Sequence, residues 1–182
     1  MPTGVVVGVL QAVANVGATI RHVTINGLIS YTSQFVPSPK AQEDPSLLAK
    51  ELDAVDVRIR CIPNLKDFKT ADVYQFLSAI LDTDSLKRIT IDLYTWDAEG
   101  PDSPSIGPAL NRQRRPRLRH LCLKGVSMCV DELHHLVDSF LPSQSHPSQD
   151  GYIILERVHF LSGLFRNSLD LKGNPNLIIS LL

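Results

Sequence analysis

Residues 118–123 read LRHLCL, an apolar residue followed by two polar positions and then by apolar residues at every second place. The alternation at the end of this stretch predicts a short β-strand with one buried face and one exposed face. Similar stretches return as IRHVTI at 20–25, LKRITI at 86–91 and LERVHF at 155–160, with a weaker copy, AVDVRI, at 54–59. Such self-similarity is typical of a repeat architecture.

Helical patterns lie between the predicted strands. Residues 71–81 and 131–141 each place four apolar side chains on one face at helical spacing, while residues 5–16 and 46–52 are weaker candidates. A strand, a helix and a second strand of the same sheet require a crossover, so neighbouring strands should be parallel. The prediction is a single repeat-like α/β domain over 1–182, with units starting near 20, 54, 86, 118 and 155.

Composition restricts the class of protein. The chain has 182 residues, of which 43% are hydrophobic, and a formal net charge of -1, so the whole molecule lacks the cationic field typical of nucleic-acid-binding or membrane-surface proteins. Three scattered cysteines argue against a disulfide framework and favour an intracellular setting, cytoplasmic or nuclear. No motif predicts a metal, a cofactor, a nucleic-acid partner or a membrane span.

The stretch LRHLCLKGV at 118–126 resembles the strand segment of a leucine-rich repeat, LxxLxLxxN/CxL. Val126, Tyr94 and Gly163 occupy the position where that family places its Asn or Cys. Over about residues 18–171 the long units resemble the degenerate repeat regions of fungal proteins, some of which carry an F-box. The resemblance implies an irregular leucine-rich-repeat-like solenoid, in which short parallel strands alternate with helices, and a protein-interaction role. In F-box members that role is substrate recognition for ubiquitin ligation.

The strand pattern also predicts which side chains face outward. If Leu118, Leu121 and Leu123 point inward, His120 and Lys124 lie on the exposed face, beside equivalent positions of the other units. The expected partner-binding residues are five cations on that face and one aromatic residue in a strand exit loop: Arg58, Arg60, Arg88, Lys124, Arg157 and Trp96. Clustered cations favour an acidic or phosphorylated protein partner. The alternative is an ordinary solvated face on which Asp56 and Asp92 pair locally.

Two other functions remain open from the residues alone. Cys122 and His120 would share one strand face with Asp92 beside them, which is the best nucleophile and base pair available and would require a depressed pKa for the thiol. No oxyanion hole or catalytic motif accompanies this pair, so the chain is expected not to be an enzyme. The apolar tail at 176–182 predicts either a last edge strand or a truncated unit, and a fragment without independent function is the second alternative.

Overall fold

A computed structural model describes residues 5–29, 51–61, 70–94, 105–111, 117–140, 152–161 and 177–180. Four helices and eight strands alternate within these ranges, which makes the chain a mixed α/β protein. The helices are α1 Val5–Asn15, α2 Thr70–Ile80, α3 Gly107–Asn111 and α4 Val130–Phe140. The strands are β1 His22–Ile29, β2 Ala54–Cys61, β3 Arg88–Tyr94, β4 His120–Lys124, β5 Ser127–Met128, β6 Tyr152–Glu156, β7 His159–Phe160 and β8 Leu177–Ser180.

The main sheet is open and all its strand pairs are parallel. Its order is β1-β2-β3-β4-β6-β8, and β5 and β7 pair separately as a short second sheet. The predicted parallel strands alternating with helices are confirmed, and the C-terminal tail pairs with β6 as the last strand. Because each strand lies beside its predecessor, the sheet grows in one direction along the sequence.

Strand register shows a regular repeat. His22, Ala54, Arg88, His120 and Tyr152 stand at one register position on five successive strands, so the steps between them are 32, 34, 32 and 32 residues. The units therefore align two residues earlier than predicted at β2 and five residues earlier at β6. The two-residue difference keeps every side chain on the expected face, whereas the five-residue difference inverts the last strand.

The misplaced unit has a structural explanation in the turn after β6. Arg157 adopts the left-handed region at φ 54°, at the place where Gly125 follows β4 with φ 60°. After each turn the chain makes a second short strand, and His159 donates its backbone N–H to the carbonyl of Val126 at 2.8 Å. The stretch at 155–160 is thus the end of one strand, a turn and a second strand, rather than a single strand.

The hydrophobic core lies on one side of the main sheet. Alternate strand residues are fully buried, among them Val57, Ile91 and Leu123, and they form one cluster with the apolar stripes of α2 and α4. The predicted stripe of α2 is confirmed by Phe76 and Leu77, both of which have no exposed surface. The intervening residues of the main-sheet strands are exposed or half-buried, apart from the small, buried Ala54, so the described helices lie against a single face of the sheet.

Helix α4 begins with a capping arrangement that also orders the preceding helix. The Glu132 carboxylate accepts the backbone N–H of Cys129 at 2.7 Å and the hydroxyl of Ser105, which in turn accepts the N–H of Gly107 at 3.1 Å. A glutamate three residues after the capping position is the acidic half of a capping box. This carboxylate therefore ties the start of α4 to the start of α3.

Several predicted features lie outside the described residues. These are Trp96, most of the helix predicted at 46–52, and Gly163. Within the described part of the chain, every helix is too short or too polar to cross a membrane.

Candidate functional site

The uncovered face of the main sheet, called here the open face, is built from rows of side chains that cross β1, β2, β3, β4 and β6. Strand register fixes three complete rows. The first contains His22, Ala54, Arg88, His120 and Tyr152; the second Thr24, Asp56, Thr90, Cys122 and Ile154; the third Asn26, Arg58, Asp92, Lys124 and Glu156. On β1, β3 and β4 these residues match the predicted surface, whereas the β2 rows contain Ala54, Asp56 and Arg58, with Arg60 one row further on. On β6 the rows contain Tyr152, Ile154 and Glu156, and the predicted residue Arg157 lies in the turn that follows.

Charges alternate in sign along the third row from Arg58 to Glu156. These residues and the two charged residues that contact them, Asp56 and Arg157, are called here the charge ladder: Asp56, Arg58, Asp92, Lys124, Glu156 and Arg157. Arg58 donates to both oxygens of Asp56, at 2.9 and 3.0 Å. Lys124 lies 2.5 Å from the Glu156 carboxylate on the neighbouring strand. Arg157 reaches from its turn to Asp92, 3.5 Å away, and lies 3.8 Å from Glu156. Three carboxylates thus balance three cations in this ladder.

These pairings shift the titration of the ladder in the direction that favours the charged forms. The hydrogen bond to Asp56 raises the pKa of the Arg58 guanidinium, and the hydrogen bond to Glu156 raises the pKa of the Lys124 ammonium. Lys124 in turn lowers the pKa of the Glu156 carboxyl. Exposed ion pairs of this kind add little to the free energy of unfolding, because water screens the charges.

The predicted partner-binding cations therefore lie in different environments. Arg58, Lys124 and Arg157 belong to the charge ladder and contact carboxylates. Arg60 is exposed one row further along β2. Arg88 lies in the first row, where none of the described carboxylates is within ion-pair distance of its guanidinium. Three cations of the predicted basic patch are thus paired with carboxylates, whereas Arg88 is not paired with any carboxylate of the described residues.

The beginning of the strands carries a second group of cations, called here the basic band: Arg21, His22, Lys87, Arg88, Arg119 and His120. Sequence comparison shows three basic pairs, and the register stacks all three at the same level of β1, β3 and β4. The backbone hydrogen bonds at this level repeat as well. The carbonyl of Arg21 accepts the N–H groups of Asp53 and Ala54, and the carbonyl of Lys87 accepts those of Arg119 and His120. The second unit has Asp53 and Ala54 at these positions and the described part of the fifth begins at Tyr152, so neither adds a basic pair.

A single carboxylate accompanies the basic band among the described residues at this level. Asp53 lies 2.9 Å from Lys87 and 3.8 Å from Arg21. The hydrogen bond from Lys87 is the main reason that the pKa of the Asp53 carboxyl is lowered. Arg21, Lys87 and Arg88 outnumber this one described carboxylate at the beginning of the strands, and of the three Arg88 stands in a row of the open face. The charge ladder at the other end holds equal numbers of cations and carboxylates.

Arg88 crosses a gap in the first row. Its side chain runs over Ala54, the smallest residue of the row, and its Nη2 donates to Nε2 of His22 on β1 at 2.7 Å. Because a guanidinium only donates, the His22 nitrogen must accept, which places the ring proton on Nδ1. This contact engages one of the five N–H groups of Arg88 and holds its exposed guanidinium across the band.

Cys122 and His120 have surroundings unlike those of a nucleophile and its base. Burial is the main factor that raises the pKa of the Cys122 thiol, opposite to the depressed pKa that the enzyme hypothesis requires. The His120 ring stacks on Tyr152 of the next strand, with centroids 4.4 Å apart. Asp92 also raises the Cys122 pKa and contacts Arg157.

Sequence reasoning missed Ala54 and Ile154 among the residues of the rows, and with them Tyr152 and Glu156, which contact side chains of the neighbouring strand. The β6 residues among them were displaced by the five-residue misalignment of the last unit. The alternation YIILE at 152–156 is the signal that identifies them, since it places Ile153 and Leu155 in the core and its other residues on the open face. Their addition supplies the ladder with a carboxylate and the first row with an aromatic ring.

Comparison with known proteins adds no relative: the chain matches no family model, no curated protein and no solved structure.

Proposed function

We propose that this chain is a protein-binding scaffold of the leucine-rich-repeat-like solenoid type, which holds its partner on the open face. The observation that carries the proposal is a parallel sheet that, within the described part of the chain, is covered by helices on one side only. Parallel sheets in globular proteins are almost always covered on both sides. A polar, uncovered face of five strands is therefore suited to a partner.

The regular step between units supports the solenoid part of the proposal. Each step of 32 to 34 residues places the next strand beside the previous one, and the helical segments return to the same side. A chain that repeats this step grows as a curved stack with an extended binding surface. The step from β6 to β8, from Ile153 to Leu177, is shorter at 24 residues, which falls in the range of ordinary leucine-rich repeats.

A steric block at the centre of the open face tests the proposal. Thr90 lies on the middle strand of the five, so Thr90→Arg places a long side chain among the rows. A matched control is Gln75→Arg, which adds the same side chain at an exposed position of α2. Partners retained from lysate by the intact chain are identified by mass spectrometry, purified and titrated against all three proteins.

The expected result is a Kd that rises at least about tenfold for Thr90→Arg and stays constant for Gln75→Arg. Both variants should keep the unfolding midpoint of the intact chain, because each substitution is outside the core. Equal binding by all three proteins would remove the open face as the binding site. Loss of binding in both variants would point to the helical side instead.

A further inference from the structure

We infer that the basic band is the part of the open face that anchors the partner, and that it receives an acidic, extended segment of that partner. This inference rests on the proposed function and gives it a chemical class. Its basis is the asymmetry between the two ends of the same strands. The basic band keeps cations in excess of carboxylates, whereas the charge ladder is neutral.

The charge ladder is a poor anchor for a charged partner. Its guanidinium and ammonium groups already contact Asp56, Asp92 and Glu156, so a new carboxylate would have to displace an existing one. The gain in one ion pair would be offset by the loss of another. A partner that binds through charge is therefore directed to the other end of the strands.

The basic band offers donors that no described carboxylate occupies. Arg88 contacts only a neutral ring nitrogen among the described residues, which leaves N–H groups for a bidentate contact with a carboxylate. His120 and Tyr152 form a stacked, partly exposed aromatic pair directly beside it. Arginine and tyrosine are the residue types that most often carry binding energy at protein interfaces.

The dimensions of the band fit an extended peptide. Five parallel strands about 4.8 Å apart make a row of about 19 Å, which about six residues of extended chain would cross at 3.3 Å per residue. Such a peptide would run across the strands, with alternate side chains directed at the row. Glutamate or aspartate side chains of such a peptide would lie along the row that contains Arg88, between His22 and His120.

The probe for the experiment is a fluorescently labelled oligoglutamate of about six residues, the length that crosses the row. Its anisotropy is measured against the intact chain, Arg88→Ala and Arg58→Ala at low ionic strength, with oligoglutamine as the uncharged peptide. Arg58→Ala is the matched control, because it removes the same charge and side chain from the charge ladder. Thermal unfolding of each variant checks that the fold is kept.

Intact protein should bind oligoglutamate and not oligoglutamine, and the affinity should fall as salt is raised. Arg88→Ala should weaken binding about tenfold, as expected when a charge-assisted hydrogen bond is lost. Arg58→Ala should weaken it less than about twofold, because an exposed, already paired arginine contributes little. Equal losses in the two variants, or no binding by the intact chain, would overturn the inference.

Two further outcomes separate this inference from the proposed function. If the purified partner is lost with Thr90→Arg but retained by Arg88→Ala and by Lys87→Ala, the open face binds and the acidic-segment inference is wrong. If no partner depends on Thr90, the proposed function fails as well. A mixed-sequence oligodeoxynucleotide that binds more tightly than oligoglutamate and is lost with Arg88→Ala would also overturn the inference, in favour of nucleic acid.

Discussion

At the scale of single residues, two glycines serve different physical needs. Gly125 is required by backbone conformation, since its φ is 60° in the turn after β4. Gly107 is required by space, because a Cβ built there would lie 2.2 Å from the Glu132 carboxyl carbon and 2.5 Å from its Cβ. The second distance matters more, since the Cβ of Glu132 cannot move away without the helix backbone.

Gly107→Ala is expected to destabilise the protein by about 1–2 kcal/mol, because the added methyl group displaces Glu132 and breaks the capping box of α4. The free energy of unfolding from urea titration measures the effect. Gly8→Ala in α1 is the matched control, since nothing lies within 4 Å of its added Cβ. Alanine in a helix interior should stabilise that site by about 0.5–1 kcal/mol, so the two variants are predicted to change stability in opposite directions.

The Asp53 carboxyl provides a prediction about pH. Its pKa is lowered in the folded chain, chiefly by the hydrogen bond from Lys87, so it stabilises the fold at pH values above its unfolded pKa. That contribution should disappear as the pH falls through the folded pKa. In Lys87→Met the pKa should rise towards the ordinary range of an aspartate, as measured by carboxyl ¹³C NMR titration.

Arg88→Met is the control for this titration, because Arg88 is next to Lys87 but bonds His22 instead of Asp53. Its Asp53 pKa should stay closer to that of the intact chain than the pKa in Lys87→Met does. A larger rise in Arg88→Met would mean that the general positive field of the band, rather than one hydrogen bond, lowers the Asp53 pKa.

At the scale of elements, each of the last two described units is a strand, a left-handed turn and a second short strand. The turn residue is Gly125 in one unit and Arg157 in the next. A left-handed conformation costs a residue with a Cβ roughly 1–2 kcal/mol. Arg157 offsets part of that cost through its contacts with Asp92 and Glu156, which connect the turn to the charge ladder.

Gly125→Ala should therefore lower the free energy of unfolding by about 1 kcal/mol through backbone strain. Gly27→Ala on β1 is the paired comparison, since its Cβ would meet open space and its backbone lies outside the positive-φ region. That change should be neutral or slightly stabilising. Chemical denaturation of both variants checks the prediction, and equal effects would contradict the strain argument.

Helices and strands could be predicted from the sequence where their apolar side chains recur at a regular spacing. Helices α2 and α4 lie within one residue of their predicted bounds, because their stripes recur at helical spacing. Strand β6 was misplaced because one apolar spacing occurs at two places in the units. Leu155, Val158 and Phe160, which belong to the end of β6 and to β7, have the spacing that begins the other units, whereas the sequence has Asp150 where those units have an isoleucine or leucine.

At the scale of the whole molecule, one core joins the units. Buried residues from β1 to β6 and from the helices form a single cluster, to which α1 contributes Leu10 while Val9 and Val16 remain exposed. A unit of this kind cannot bury its apolar face alone, so each depends on its neighbours. The described units should therefore unfold together.

Phe76→Ala should destabilise the protein by about 3–5 kcal/mol, because it removes a large side chain with no exposed surface from the middle of this core. Gln75→Ala, at the exposed neighbouring position, should change the free energy of unfolding by less than about 0.5 kcal/mol. Circular dichroism and tyrosine fluorescence should report one common transition for Phe76→Ala. Separate transitions would show that the units unfold independently.

The sequence by itself determined the alternating elements, the parallel pairing and the face of the sheet on which most side chains lie, because strand and helix periods are local properties. It also revealed three basic pairs without indicating that they form one band. Only the tertiary structure decided which residues are neighbours across strands, since register depends on pairing between distant segments. That pairing brings carboxylates of the sheet to Arg58, Lys124 and Arg157, whereas Arg88 bonds His22 and has none of the described carboxylates within ion-pair distance. The division of the open face into a balanced ladder and a positive band is therefore a property of the register.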